Sequence, residues 1–338
     1  MLFLNTSWGL HSMRVLVTGG SGYIGSATVR ELAQNGHSVI IYDNLSTGHR
    51  KLSKGFELIE GDIADRSKIL PALQRSDAII HFAASAYVGE SVTNPRKYFR
   101  NNVESALALM DSVLESDVRM FVFSSTCAVY GLPQSLPICE SSPKEPINPY
   151  GATKLFFERV LSAYSVSHDL RFAALRYFNA AGTHPEGTIG EIHNPETHLI
   201  PLAIRAALGM TPPLTIFGRD LATPDGTCVR DFVHVADLAS AHVKALEYLE
   251  QGGQSVQLNL GTGTGTSIKQ LIEEIEAVSG CNVPHVYAPP RPGDPPLLFA
   301  DARKAKETLD WQPKYDLKQI VTGAIQWEEN LGEFLGAP

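Results

Sequence analysis

The chain has 338 residues, 43% of them hydrophobic and 19% charged, the balance of a soluble globular protein with one large or two modest domains. A net charge of −8 argues against a general nucleic-acid binder, and no run of 18 apolar residues offers a membrane span. The cysteines Cys127, Cys139, Cys228 and Cys281 lack metal-ligand spacing, so no metal is expected, and they read as thiols of a reducing, cytoplasmic compartment.

Residues 1–12 are mildly apolar but carry no basic segment or cleavage site, and they read as a loose extension before Met13. A short buried strand is expected at 15–18. Gly19, Gly22 and Gly25 follow at a spacing of three, and a helix is expected over 24–34. Gly19 allows a tight turn, Gly22 lets backbone approach a pyrophosphate at a helix N-terminus, and Gly25 lets helix and strand pack closely. A second strand, 38–42, ends in Asp43, 18 residues beyond Gly25, where a ribose-binding carboxylate belongs. That carboxylate would repel a 2′-phosphate, so the order of parts favours NAD over NADP. Arg50 and Lys51 read as solvated loop charges.

Further strands are expected at 57–60, 78–81, 120–124 and 172–176, alternating with helices at 67–74, 95–114 and 150–167. This alternation predicts an α/β fold with a Rossmann-type, doubly wound parallel sheet and ligands at the strands' carboxyl ends. Asp62, after the third strand, can accept a hydrogen bond from an adenine amino group or cap the next helix. Phe82, Ala83 and Ala84 follow the fourth strand and leave room for a dinucleotide, and Ser124-Ser125-Thr126 follows the fifth. Asn148 and Pro149 read as N-cap and first residue of the next helix. That helix carries Tyr150 and Lys154, four residues apart and so on one face. An ammonium beside a tyrosine favours its phenolate, which can take a proton from a hydroxyl whose carbon gives hydride to a nicotinamide. The domains expected are 13–180 for the dinucleotide and a smaller, irregular α/β substrate domain over 181–338. A helix at 235–248 and a strand at 256–259 suggest that parts of 231–260 return to the first domain.

Several stretches together carry a resemblance. They are Thr18 through Gly25, Asp43-Asn44-Leu45-Ser46-Thr47-Gly48, His81-Phe82-Ala83-Ala84, Ser124 through Gly131, Asn148-Pro149-Tyr150-Gly151, Arg176-Tyr177-Phe178-Asn179, and Asp225 through Asp231. From about Met13 to Trp327 the chain resembles the UDP-glucose 4-epimerase family, within the extended short-chain dehydrogenases/reductases. The 176–179 and 225–231 stretches are more specific to nucleotide-sugar epimerases than the glycine motif is.

The resemblance implies that Tyr150 is the base for the sugar 4-hydroxyl and that Lys154 holds the nicotinamide ribose and lowers the Tyr150 pKa. Thr126 stands where the family usually has a catalytic serine. It implies NAD contacts from Gly19, Gly22, Tyr23, Ile24, Gly25, Asp43, Asn44, Asp62, Ile63, Phe82, Ala83, Ala84, Asn101, Ser124, Tyr150, Lys154, Tyr177 and Phe178. It implies UDP contacts from Asn179, Leu199, Phe217, Arg230, Arg291 and Asp294, with His198 replacing a common Asn and Leu298 at the gate beside the sugar. Arg230 has a structural alternative, pairing with Asp231 or Asp225. Cys127 and Ala128 replace the Asp-Glu of the sugar-nucleotide dehydratases, which disfavours water elimination.

Ala86 stands where some members have a lysine, and 82–89 also resembles UDP-arabinose 4-epimerases. The expected activity is therefore interconversion of UDP-glucose and UDP-galactose, with a UDP-pentose epimerase or a non-catalytic NAD-binding sensor as alternatives. The resemblance also implies a homodimer through helices 95–114 and 150–167. Leu107, Met110, Leu114, Phe156, Phe157 and Val160 suit that interface or a cover for the sheet.

Overall fold

The computed structural model describes residues 11–291 and 294–336, so most of the expected N-terminal extension lies outside the described residues. The first half alternates strands and helices: β1 Arg14–Thr18, α1 Tyr23–Gln34, β2 Ser38–Asp43, β3 Glu57–Glu60, α2 Arg66–Leu73, β4 Ala78–His81, α3 Val88–Thr93, α4 Pro95–Phe99, α5 Ser105–Leu114, β5 Met120–Thr126, α6 Pro149–Ser167 and β6 Arg171–Tyr177. Shorter strands then interrupt the helices: β7 Asn179–Ala181, α7 Leu199–Ala207, β8 Leu214–Phe217, β9 Val229–Arg230, β10 Phe232–His234, α8 Val235–Glu250 and β11 Val256–Leu260. The chain closes with β12 Thr266–Ser267, α9 Ile268–Ser279, β13 His285–Ala288, β14 Leu297–Leu298, α10 Arg303–Leu309 and α11 Leu317–Leu335.

Seven strands pair in the order β11-β6-β5-β4-β1-β2-β3, and every pairing in this sheet is parallel. Alternate side chains enter opposite cores. Val15, Val17, Ile41, Ile80 and Val122 face one, while Leu16, Ile40, Ile79, Phe121 and Phe123 face the other. Burial on both faces is why these strands read as continuous apolar runs. Helices α1 and α8 pack together over the first face, and α5 and α6 cover the second with Leu109, Met110, Phe157 and Leu161. The strand order reverses between β1 and β4, which opens a crevice at their carboxyl ends.

One expectation changes, and one open alternative is decided. The helix expected over 95–114 divides into α4, a π-helical turn at Arg100–Glu104 and α5. The wider turn lets Asn102 bond the backbone of Ser85, accepting from its N–H at 2.8 Å and donating to its carbonyl at 2.9 Å. Met110 and Phe157, offered to a subunit interface or to a cover for the sheet, take the second role, buried at 0% and 1% exposure. Leu107, Leu114 and Val160 are partly buried, and of the six Phe156 is the exposed one.

In the C-terminal half, β11 joins the main sheet beside β6. A separate core gathers Ile204 of α7, Leu271 of α9 and Val321 of α11. Capping boxes start α9 at Ser267 with Gln270 and α11 at Asp316 with Gln319.

Candidate active site

The cofactor cleft begins where β1 turns into α1. Gly19 has φ +72°, and a Cβ on it would fall 2.6 Å from the Ala83 nitrogen. A Cβ on Gly25 would collide with the Gly19 carbonyl, so α1 can start this close to β1 only with glycine there. Gly22 is the N-cap of α1, leaving first-turn N–H groups as an anion site. At the end of β2 the buried Asp43 carboxylate accepts from Ser21 N–H at 2.9 Å and Leu45 N–H at 2.8 Å. Burial raises its pKa against those bonds. A Cβ on Gly48 would lie 3.0 Å from both Asp43 oxygens, so small residues keep this acid approachable. A phosphate-accepting turn, a carboxylate at the second strand end and the small Ala83-Ala84 step are the parts a dinucleotide requires, and these residues fit NAD.

Other expected cofactor contacts fall into place less directly. Asp62 accepts from Ala64 N–H at 2.9 Å and from Asn44 Nδ2 at 3.4 Å. It does not cap α2, because Asp65 holds that N-cap through Ser67 N–H. Ile63 is buried in the core on one face of the sheet, and Ile24 packs partly against the core on the other. Tyr23 donates its hydroxyl to the Gly182 carbonyl, tying α1 to the C-terminal half. Asn101 donates to Asn102 Oδ1 at 3.0 Å. Sequence reasoning missed Asn102, which fixes the loop after Ala84 and also donates to Thr153 at 3.2 Å.

The side chains expected to react meet at the ends of β5 and β6. Thr126 lies within β5 and pairs with Tyr177, so 124–126 belongs to the strand. Asn148 caps α6 by accepting from Gly151 N–H at 2.8 Å, with Pro149 in the first turn. Gly151 seats α6 on the turn after Thr126: a Cβ there would strike the Ala128 carbonyl. This close approach sets Tyr150 beside Thr126. The Lys154 ammonium donates to the Ser124 carbonyl at 2.7 Å, 4.8 Å above the Phe123 ring centre and 6.0 Å from that of Tyr150. Ser124 and Tyr177 share a hydroxyl hydrogen bond of 2.6 Å, and Phe178 is buried nearby with Cys127.

The electrostatics bear on the expected Tyr150–Lys154 pairing. Burial pushes the Tyr150 phenol well above its ordinary value, with Tyr177 adding to the effect and the Thr126 hydroxyl opposing it. Burial also lowers Lys154 to about 7, against the pull of Glu158. Burial disfavours both charged forms, and the ammonium's hydrogen bond goes to Ser124. Burial also pushes the Cys127 thiol up to about 12, a poor acid or base at neutral pH.

Beneath the site lies a network that sequence reasoning missed. Arg176 donates to both Glu158 oxygens, at 2.9 and 2.5 Å, and to the Tyr130 hydroxyl at 2.9 Å. Ser125 adds a bond to Glu158 at 2.5 Å, and Tyr130 donates to Asn259 at 2.6 Å. Glu158 follows Lys154 by four residues on the same face of α6, the spacing that could have flagged it.

Four expected nucleotide-binding residues gather around β9. Arg230 donates to Asp294 at 2.5 Å, and the Arg291 guanidinium lies 3.9 Å from the Phe217 ring centre. Leu298 pairs with Arg230 in register and packs against the cluster of Cys127 and Phe178. Neither alternative partner takes Arg230: Asp231 accepts from Thr262 and Ala300, and Asp225 from Thr227 and Ser267. Asn179 donates its N–H to the Asp231 carbonyl at 2.9 Å, which fixes β7 here. Leu199 packs on the C-terminal core, and His198 faces Glu191.

Residues 15–261 match the sequence model of the NAD dependent epimerase/dehydratase family. The chain is 50% identical over 320 residues to a UDP-glucose 4-epimerase of Rhizobium meliloti, covering 94% of this chain and 98% of that one. The UDP-glucose 4-epimerase of Brucella ovis, solved in complex with NAD, superposes with a TM-score of 0.91 at 48% identity, covering 93% and 98% of the two chains. A UDP-glucose 4-epimerase of Stenotrophomonas maltophila, solved with NAD and formylated UDP-arabinopyranose, gives 0.92 at 39% identity, covering 95% and 99%. With the glycine turn, Asp43 and the Thr126–Tyr150–Lys154 arrangement already in place, the conclusion is that this chain belongs to the NAD dependent epimerase/dehydratase family.

Proposed function

We propose that the protein interconverts UDP-glucose and UDP-galactose with tightly held NAD. The observation that carries this reading is the convergence of Tyr150, Thr126 and Lys154 with only Cys127 and Ala128 after them. Oxidation and re-reduction at one carbon need one base, whereas elimination needs a second acid and base that are missing from these positions.

The Gly19–Gly25 turn holds the pyrophosphate and Asp43 the adenosine ribose. Oxidised NAD, when bound, supplies a reversible hydride acceptor at sugar C4 and a positive charge near Tyr150. Tyr150 takes the 4-hydroxyl proton on its phenolate oxygen and later returns it. Thr126 hydrogen-bonds the same sugar oxygen, and Lys154, aligned by the Ser124 carbonyl, holds the nicotinamide ribose. Arg230 and Arg291 offer charge-assisted bonds to the UDP diphosphate, and Asp294 orients Arg230. Leu298 limits the space beside the sugar.

The test is turnover of UDP-galactose by purified protein without added cofactor. Tyr150→Phe abolishes turnover and keeps NAD bound; turnover that survives this change overturns the assignment. The 82–89 likeness favours a second reading, a UDP-pentose epimerase, and the ratio of kcat/KM for UDP-galactose and UDP-xylose separates the two. Residues 13–180 with the returning 231–260 stretch form the NAD-binding domain in this reading, and the remainder binds the UDP-sugar. We place the protein in the cytoplasm, as its four free cysteines suit. We also propose a homodimer across α4 and α6, where Phe99 and Phe156 remain exposed. A single-chain mass by light scattering would exclude the dimer.

A further inference from the structure

The strap between β7 and α7 contains Glu191, His193, Glu196 and His198, whose ligand-capable atoms all lie within 4.8 Å of one another. Both carboxylate side chains are buried, Glu191 at 8% and Glu196 at 3% exposure. One buried polar atom here, Oε2 of Glu196, has no hydrogen-bond partner, while Nδ1 of His193 faces Glu191 Oε1. Orphaned buried polar atoms are uncommon in native proteins, and an ion is one of their explanations. The nearest cation to Glu196 Oε2 is Arg205 at 3.8 Å, and that guanidinium is already bonded to both oxygens of Glu328, at 2.7 and 3.0 Å.

We propose that Glu191, His193, Glu196 and His198 form a zinc site that rigidifies this strap. Two imidazoles with two carboxylates are a donor set suited to zinc, whereas calcium and magnesium prefer oxygen alone. A tetrahedron with zinc bonds of about 2.0–2.1 Å has edges of roughly 3.4 Å. His193 Nδ1 lies 3.1 Å from Glu191 Oε1 and 3.6 Å from Glu196 Oε1, which brackets that edge. His198 Nδ1 rests against the same Glu191 oxygen, and its side chain is half exposed. The surroundings brace the ligands. Trp327 Nε1 donates to the Glu191 carbonyl at 2.9 Å, and the Tyr87 ring stands edge-on to His193 at 5.4 Å. Gly190 has no room for a side chain beside the Trp327 indole.

The site shares His198 with the expected substrate contacts, so its test reads metal rather than turnover. Protein stripped with a chelator is titrated with Zn²⁺, and bound metal is measured after gel filtration. The expected result is about one zinc per chain, a rise in thermal midpoint and no displacement by Mg²⁺ or Ca²⁺. His193→Ala and Glu196→Gln each weaken binding about tenfold or more, with retained NAD reporting that the variants fold. A double Cys139→Ser, Cys281→Ser variant keeps the zinc. Substoichiometric binding, full binding by both ligand variants, or loss of zinc with the two thiols each overturns the proposal.

Discussion

Tyr150 is held in a pocket that favours the neutral phenol, since burial dominates its pKa. Base chemistry there depends on the hydrogen bond from Thr126 and on cationic charge brought close to the ring. In the proposed mechanism it is the hydroxyl of Thr126, not its methyl, that contributes, so Thr126→Ser retains turnover while Thr126→Val lowers kcat about 100-fold or more. Equal rates in the two variants contradict this role. Leu298 offers a second residue-scale test. Trimming it to Ser improves kcat/KM for UDP-N-acetylglucosamine relative to UDP-glucose by roughly 10–200-fold, and an unchanged ratio removes Leu298 from the gate. Tyr150 and Lys154 were legible in the sequence because their type and spacing carry chemistry, and Thr126 because it stands where the resembling family has a serine. Their charge state was not legible, because it depends on burial and on where the Lys154 ammonium points.

The reaction centre is assembled by the contact of α6 with the turn that follows β5. Gly151 makes that contact possible, so Gly151→Ala pushes the helix off the Ala128 carbonyl and moves Tyr150 from Thr126. Displacement of about 1 Å costs roughly 100-fold in rate; steady-state kinetics of the alanine variant near the parent value would show that the helix absorbs the change. The buried Glu158–Arg176 pair joins α6 to β6, with both side chains at 4% exposure. Glu158→Ala strands the guanidinium and costs about 3–5 kcal/mol, measurable by urea unfolding. Strand and helix positions followed from apolar periodicity and from the Asn148-Pro149 start. The break between α4 and α5 was hidden, because 95–114 has helical character throughout and the reason for the π-turn, Asn102 on Ser85, lies in another element.

At the scale of the whole molecule, three histidines are buried in neutral form. Burial lowers His81 to about 3 and His242 to about 4, and burial aided by His184 lowers His234 to about 4. In the unfolded chain each takes a proton near pH 6.5. Their contribution to stability is therefore complete above about 6.5 and is lost as pH falls toward 4, with each group adding up to about 1.4 kcal/mol per pH unit. Thermal midpoints at pH 7.5 and 5 differ less in His242→Leu than in the parent; an identical difference disproves the assignment. By itself the sequence determined the α/β class, the glycine turn with Asp43 and the Tyr150–Lys154 face, because these are local patterns whose chemistry depends on spacing along the chain. Tertiary structure alone decided that Asp294 is the partner of Arg230, that Glu158 anchors Arg176, that Met110 and Phe157 serve the core, and that Glu191 to His198 form a cluster. Those outcomes rest on burial and on contacts between distant segments, and neither can be read from spacing.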